Sequence, residues 1–175
     1  MTLKDETYYQ IANAVAVIIN EDVDLQSYCL DKLGANMTVV DNANYASTEA
    51  LPIAQITKDV SQKYINKDVE STPLKGEYPI TVMFMGKFAP DDATSEIPTE
   101  YLDTINGIKT WLPADIMRRI ADRVGEQIDE QIGCKVPGVM ASQPTVVANE
   151  YMAEMYEDGV IESSLQITLY KRRTF

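Results

Sequence analysis

Histidine is absent from the 175 residues. That removes Ser-His and Cys-His nucleophile pairs, histidine general bases and every histidine metal site. Cysteine is scarce: there are two, Cys29 in an apolar stripe and Cys134 expected just after a helix end. One distant pair makes neither a disulfide framework nor a zinc cluster, and both are expected as reduced thiols in a protein made in the cytosol. Glycine-rich phosphate cradles are missing too; neither G-x-G-x-x-G nor a loop ending in Gly-Lys-Ser/Thr occurs. Aromatic residues are 8% of the chain and scattered, which argues against the aromatic-walled cleft of a glycosidase.

Long apolar runs are lacking as well. The longest, Ile11 to Ile19, is interrupted by Asn13, whereas a membrane helix needs about 20 apolar residues. It is not read as a secretory signal: Lys4-Asp5-Glu6 ahead of it is not basic, and Asn20-Glu21-Asp22 follows without a small-residue cleavage site. No membrane partner and no cofactor is expected. Positive charge is also in short supply, with 15 Lys and Arg against 27 Asp and Glu, a net charge of −12. Such a surface repels phosphate backbones and anionic lipid heads. The plain reading of the excess is solubility; the functional one is a negative wall facing basic protein, or DNA that must slide past.

What is present is an ordinary globular composition, 45% apolar and 24% charged. The length suits one domain, 1–175, able to bury a core without metals or disulfides. Tyr8, Ile11, Val15, Ile18 and Ile19 share one face of a helix from about Leu3 to Ile19, with Thr2 and Asp5 as a capping-box start. Asp24 is expected to cap a second helix carrying Leu25, Tyr28, Cys29 and Leu33, stopped by Gly34. Short strands are expected at Met37 to Val40 and at Leu51 to Thr57, with an extended connection over Asp59 to Lys75. Tyr78 to Phe88 reads as a strand with Ile80, Val82 and Phe84 on one face and Thr81, Met83 and Met85 on the other. Both faces are largely apolar, so either a helix covers the second face or that face meets a partner.

Ala89 to Asn106 reads as a long acidic loop with Asp91, Asp92, Glu96, Glu100 and Asp103, and Gly107 to Leu112 as a short returning strand. Pro113 opens a second major helix to about Ile132, with Ile116, Ile120, Val124 and Ile128 recurring every four residues and Gly133 as its stop. Val136 to Ser142 reads as a loop and Thr145 to Val147 as a strand. In the closing strand, Ile161 to Tyr170, Leu165, Ile167 and Leu169 alternate with Gln166, Thr168 and Tyr170. The expected fold is α/β of the α+β kind, a mixed sheet packed by two main helices.

Paired carboxylates are the one route to catalysis left. Asp91-Asp92, joined by Glu96 or Glu100, have the oxygen ligands that magnesium prefers, but adjacent aspartates in a loop are ordinarily solvated. The dense basic cluster Lys171-Arg172-Arg173 reads either as a solvated tail after the last strand or as a site for a phosphate or an acidic neighbour, and the acidic loop supplies such a neighbour on another copy. The expected interface residues are therefore Met83, Met85, Asp91, Asp92, Glu96, Lys171, Arg172 and Arg173, with no catalytic, cofactor or metal residues assigned.

Three segments in order, Leu51-Pro52-Ile53-Ala54-Gln55-Ile56, then Glu77-Tyr78-Pro79-Ile80-Thr81-Val82-Met83-Phe84, then Asp158-Gly159 leading into Leu165-Gln166-Ile167-Thr168-Leu169-Tyr170, resemble the tail-terminator and tail-completion (neck) proteins of long-tailed bacteriophages. The resemblance implies a compact subunit that forms a ring, commonly of six, on the tail tube. Such a ring meets the head connector and passes DNA without binding it specifically. It implies tail tube and connector proteins as partners, a place in the virion after synthesis in the bacterial cytoplasm, and no enzymatic activity. The segments Asp59 to Lys75 and Ala89 to Asn106 are long for a minimal terminator, which fits extra contacts or a neighbouring neck component. The rival expectations are an acidic DNA mimic that occupies a DNA-binding protein and a small metal-dependent enzyme built on Asp91-Asp92.

Overall fold

The computed structural model describes residues 6–41, 51–58, 63–64, 75–88, 102–148 and 160–172. Two antiparallel strands form its spine. β4 (Lys75–Lys87) pairs along its whole length with β9 (Val160–Arg172). β2 (Ile53–Lys58) pairs antiparallel with β4, and β1 (Thr38–Asp41) lies parallel to β2 at the edge. A two-residue strand, β3 (Lys63–Tyr64), also pairs with β4. Beyond β9 lie β7 (Val139–Ala141) and β8 (Thr145–Ala148), both antiparallel to it. This is a mixed seven-stranded sheet; β5 (Leu102–Ile105) and β6 (Ile108–Trp111) form a separate hairpin.

The strand alternation read from the sequence sets the core. Tyr78, Ile80, Val82 and Phe84 of β4 stand opposite Leu169, Ile167, Leu165 and Ser163 of β9, and all eight are buried. Ala54 and Ile56 extend that face through β2. Against it lie α1 (Glu6–Glu21), α2 (Val23–Leu33) and α3 (Leu112–Lys135). α1 buries Tyr8, Ile11, Val15, Ile18 and Ile19, the face its spacing predicts. Pro79 would interrupt a central ladder, because it has no N–H to donate. It falls in the gap between the β2 ladder, which ends at Ile80, and the β3 ladder, which ends at Glu77. Its carbonyl accepts a hydrogen bond from the Tyr8 hydroxyl, and the Tyr8 and Tyr78 rings meet edge to face at 5.3 Å.

Several boundaries depart from the sequence reading. The N-cap of α2 is Asp22, not Asp24: the Leu25 N–H donates to Asp22 Oδ1 at 3.2 Å. Gly34 does end α2, at φ +79° with its N–H on the Leu30 carbonyl. α3 runs through Gly133 and includes Cys134, ending at Lys135. Pro137 and Gly138, the latter at φ +82°, stop it instead. On α3 the buried side chains include Met117, Ile120, Ala121, Val124, Ile128 and Ile132, while Ile116 is only half-buried. A strict four-residue series turns about 40° per step on a 3.6-residue helix, so its first member swings away from the core.

The stretch expected as a loop, Val136 to Ser142, contains β7. The Ala89 to Asn106 loop ends in a strand, β5, paired with β6 around Asn106 and Gly107 at φ 53° and 79°. Both residues have positive φ, the two-residue hairpin turn that Asn-Gly favours. Leu51 and Pro52 precede β2 across a cis peptide rather than starting it. The Thr2–Asp5 capping box, residues 89–101 and Asp158-Gly159 lie outside the described residues.

Candidate functional site

The second face of the sheet carries the side chains that alternate with the core. Thr81, Met83 and Met85 of β4 stand beside Thr57, Gln55 and Ile53 of β2 and Gln166, Ser164 and Glu162 of β9. Ile53 is buried; Met83 and Met85 are half-buried. At the β7 edge of the same face Met140, opposite Tyr170, is 65% exposed. The covering helix that was one expectation for this face is not found among the described residues: all three described helices pack on the opposite side. Among the described residues this face has no second layer. Methionine suits a contact made against varying shapes, because its unbranched chain has three rotatable bonds.

Lys171 and Arg172 belong to the last strand and not to a tail following it. β9 continues through Arg172, pairing Lys171 with Gly76 and Arg172 with Lys75. Lys171 is half-buried and also faces Val139 in the ladder with β7. Seven ladder positions separate Ser164, the partner of Met83, from Lys171, about 24 Å along a strand. The methionine pair and the basic cluster are thus at different places on the molecule. Asp91, Asp92, Glu96 and Arg173 lie outside the described residues. Among the described residues no group of three or more His, Cys, Asp or Glu is arranged to hold a metal ion, and no helix is long and apolar enough to cross a membrane.

A second feature, unforeseen in the sequence, lies between α2 and α3. Arg123 grips Asp22 with two hydrogen bonds, Nε to Oδ2 at 2.8 Å and Nη2 to Oδ1 at 3.0 Å, and reaches Asp24 at 3.5 Å. Burial alone would raise the Asp22 carboxyl. The Arg123 hydrogen bonds, the Leu25 N–H and the guanidinium charge outweigh it and hold the group below its ordinary value. The same bond to Asp22 pushes Arg123 up. Nearby, Gln26 donates to the Ile19 carbonyl at 3.0 Å and accepts from the Met37 N–H at 2.8 Å, tying the end of α1 to the approach to β1. On the outer side of Arg123 the helices leave a cleft of about 210 Å³ lined by Asp24, Leu25, Tyr28, Arg119, Ile120 and Arg123. Its floor is mostly apolar; burial pushes the Tyr28 hydroxyl up. Arg119, 61% exposed on its rim, pairs with Asp115 at 2.8 Å.

Neither thiol bears on these surfaces. Burial pushes Cys29 up to about 11, and Cys134 is exposed on the last turn of α3. No family model matches the sequence, and no curated protein matches it.

Proposed function

We propose that this chain is a structural assembly subunit of the tail-terminator or neck type, which joins copies of itself in a ring and meets tail tube and head connector proteins in the virion. The observation that carries this reading is the one-sided sheet. Every described helix lies on one face, and the other presents half-buried Met83 and Met85 and exposed Met140, beside buried Ile53 and polar neighbours, with no second layer among the described residues. Apolar area left half-open in this way is what a subunit buries when it assembles. The three segments quoted above carry the resemblance: two of them contribute to the spine strands β4 and β9, and the third to β2. The net charge of −12 is suited to lining a channel that DNA traverses without sticking.

The test is sedimentation of wild type and of Met83→Lys over a wide concentration range, beside a tail-assembly assay. Lys can lay its aliphatic stem where Met83 lies and keep its charge in water, so the variant monomer should fold. It should assemble poorly, because the charge would have to be buried in the contact. A Met83→Lys chain that completes tails as well as wild type would remove this face from the assembly surfaces.

A further inference from the structure

α1 is charged only at its ends. Between Glu6 and Glu21 it has no acidic or basic side chain, in a chain that is 24% charged. Its core side has to be apolar; its solvent side does not. On α3 the solvent side carries Arg118, Arg119, Asp122, Glu126, Asp129 and Glu130, all exposed. On α1 it carries exposed Gln10, Asn13 and Asn20, with half-buried Val17 among them. These four recur at intervals of three, four and three residues, the spacing of a single seam between two packed helices. Helix stability does not explain the choice, because Asn and Val are poorer helix formers than the Glu, Lys or Arg that suit a solvated face. Beside the seam runs a groove of about 380 Å³, walled by Gln10, Asn13, Ala14 and Val17 on one side and by Val136 and Pro137 on the other. The charges at its end, Lys135 and Glu21, are already paired with each other at 3.0 Å.

We infer that α1 of a second copy of this chain packs on this seam about a twofold axis near Asn13, each α1 lying along the groove of the other. Two properties select a second copy as the occupant. Chains of net charge −12 repel one another wherever carboxylates meet, and the middle of this seam has none. A twofold contact also sets a patch against itself. An amide has both donors and an acceptor, so Asn and Gln pair with their own kind, as a carboxylate or an ammonium cannot. A basic partner would instead be met by carboxylates, which this chain has in excess. An Asn in a helix seam further fixes its register. The contact joins two chains and stops. It lies on the helix side of the sheet, away from Met83 and Met85, so it goes beyond the sheet-face reading and does not compete with it.

Site-directed cross-linking tests the contact. In a Cys134→Ser background, chains carrying Asn13→Cys are oxidised beside control chains carrying Glu126→Cys, an exposed position on α3; the native Cys29 is buried. A residue near the twofold axis meets its own copy, so disulfide-linked dimers are expected in large excess for position 13. Sedimentation equilibrium reads the contact without a cross-link, and running it in the Met83→Lys chain removes the contribution of the sheet face. Asn13→Asp sets two carboxylates face to face and should weaken dimerisation by about tenfold or more. Its melting temperature should stay unchanged, because Asn and Asp are similar helix formers. Asn13→Lys alone should weaken the dimer likewise, and an equimolar mixture of the two variants should recover a mixed dimer. Position-13 dimers no more abundant than those of position 126, an Asn13→Asp chain that associates as wild type does, or a wild type that remains a monomer at every concentration would overturn the inference. An Asn13→Asp chain that fails to dimerise yet completes tails, where Met83→Lys does not, would support it and separate the α1 contact from assembly through the sheet face.

Discussion

Replacing Arg123 with alanine strips a nearly buried carboxylate of its bidentate partner. Asp22 has a side chain 3% exposed, held by Arg123 at 2.8 and 3.0 Å, with the Leu25 N–H at 3.2 Å as an additional hydrogen bond. Breaking a fully buried ion pair by removing one member costs about 3–5 kcal/mol. Arg123 is 36% exposed, and solvent screens the side of it that faces water, so about 2–3 kcal/mol is expected here. Asp22→Ala forfeits the helix cap, about 1 kcal/mol, but leaves behind a cation that water can reach. Its total should not exceed that of Arg123→Ala.

The pH dependence has a definite sign. The folded-state value of Asp22 is depressed, so its contribution is present above the unfolded value and is lost as pH falls through the folded one. Without Arg123, only backbone N–H groups oppose the effect of burial, so the carboxyl of the variant protonates more readily than that of the wild type. The deficit of Arg123→Ala should therefore be largest near neutrality and shrink once pH drops below about 4, where free aspartate protonates. Urea denaturation followed by circular dichroism at several pH values measures it. A deficit below about 0.5 kcal/mol at neutral pH, the scatter of ordinary surface changes, would refute the reasoning, as would one that does not change on acidification.

Ile120 on α3 is fully buried, and Ile120→Ala should cost about 2–5 kcal/mol in reversible denaturation. Gly34 closes α2 at φ +79° in otherwise open space, so Gly34→Ala should cost about 1 kcal/mol from backbone strain alone. A thiol reagent at mildly alkaline pH should modify Cys134 rapidly in the native protein and Cys29 only after unfolding, because Cys29 is buried and pushed up to about 11; rapid native labelling of both would contradict the placement of Cys29.

The spine of the fold was legible because period-two alternation is a local property. Ile80, Val82 and Phe84, and Leu165, Ile167 and Leu169, needed no knowledge of each other to be placed on one face, and the register then aligned them. The same holds for α1. What the sequence left hidden depends on distant groups or on competing local signals. Asp22 and Asp24 are equally good caps by type; Asp22 lies nearly buried beneath Arg123, 101 residues away, while Asp24 stays exposed. Gly133 has the composition of a helix stop, yet its backbone remains helical, and the break waits for Pro137 and Gly138. The hairpin had a readable signal, Asn106-Gly107 between apolar residues, obscured by the acidic run before it. The α2–α3 cleft had none, since its walls come from residues about 95 positions apart brought together by packing.

The most direct test of the central claim is whether the wild-type chain caps tail tubes. Purified chain and polymerised tail tube protein would be mixed, and the tube ends imaged and their mass counted. The account predicts a closed ring of this chain at one end of each tube, arresting further tube growth. A chain that stays monomeric at high concentration, binds no tube end and leaves tube length unchanged would contradict it.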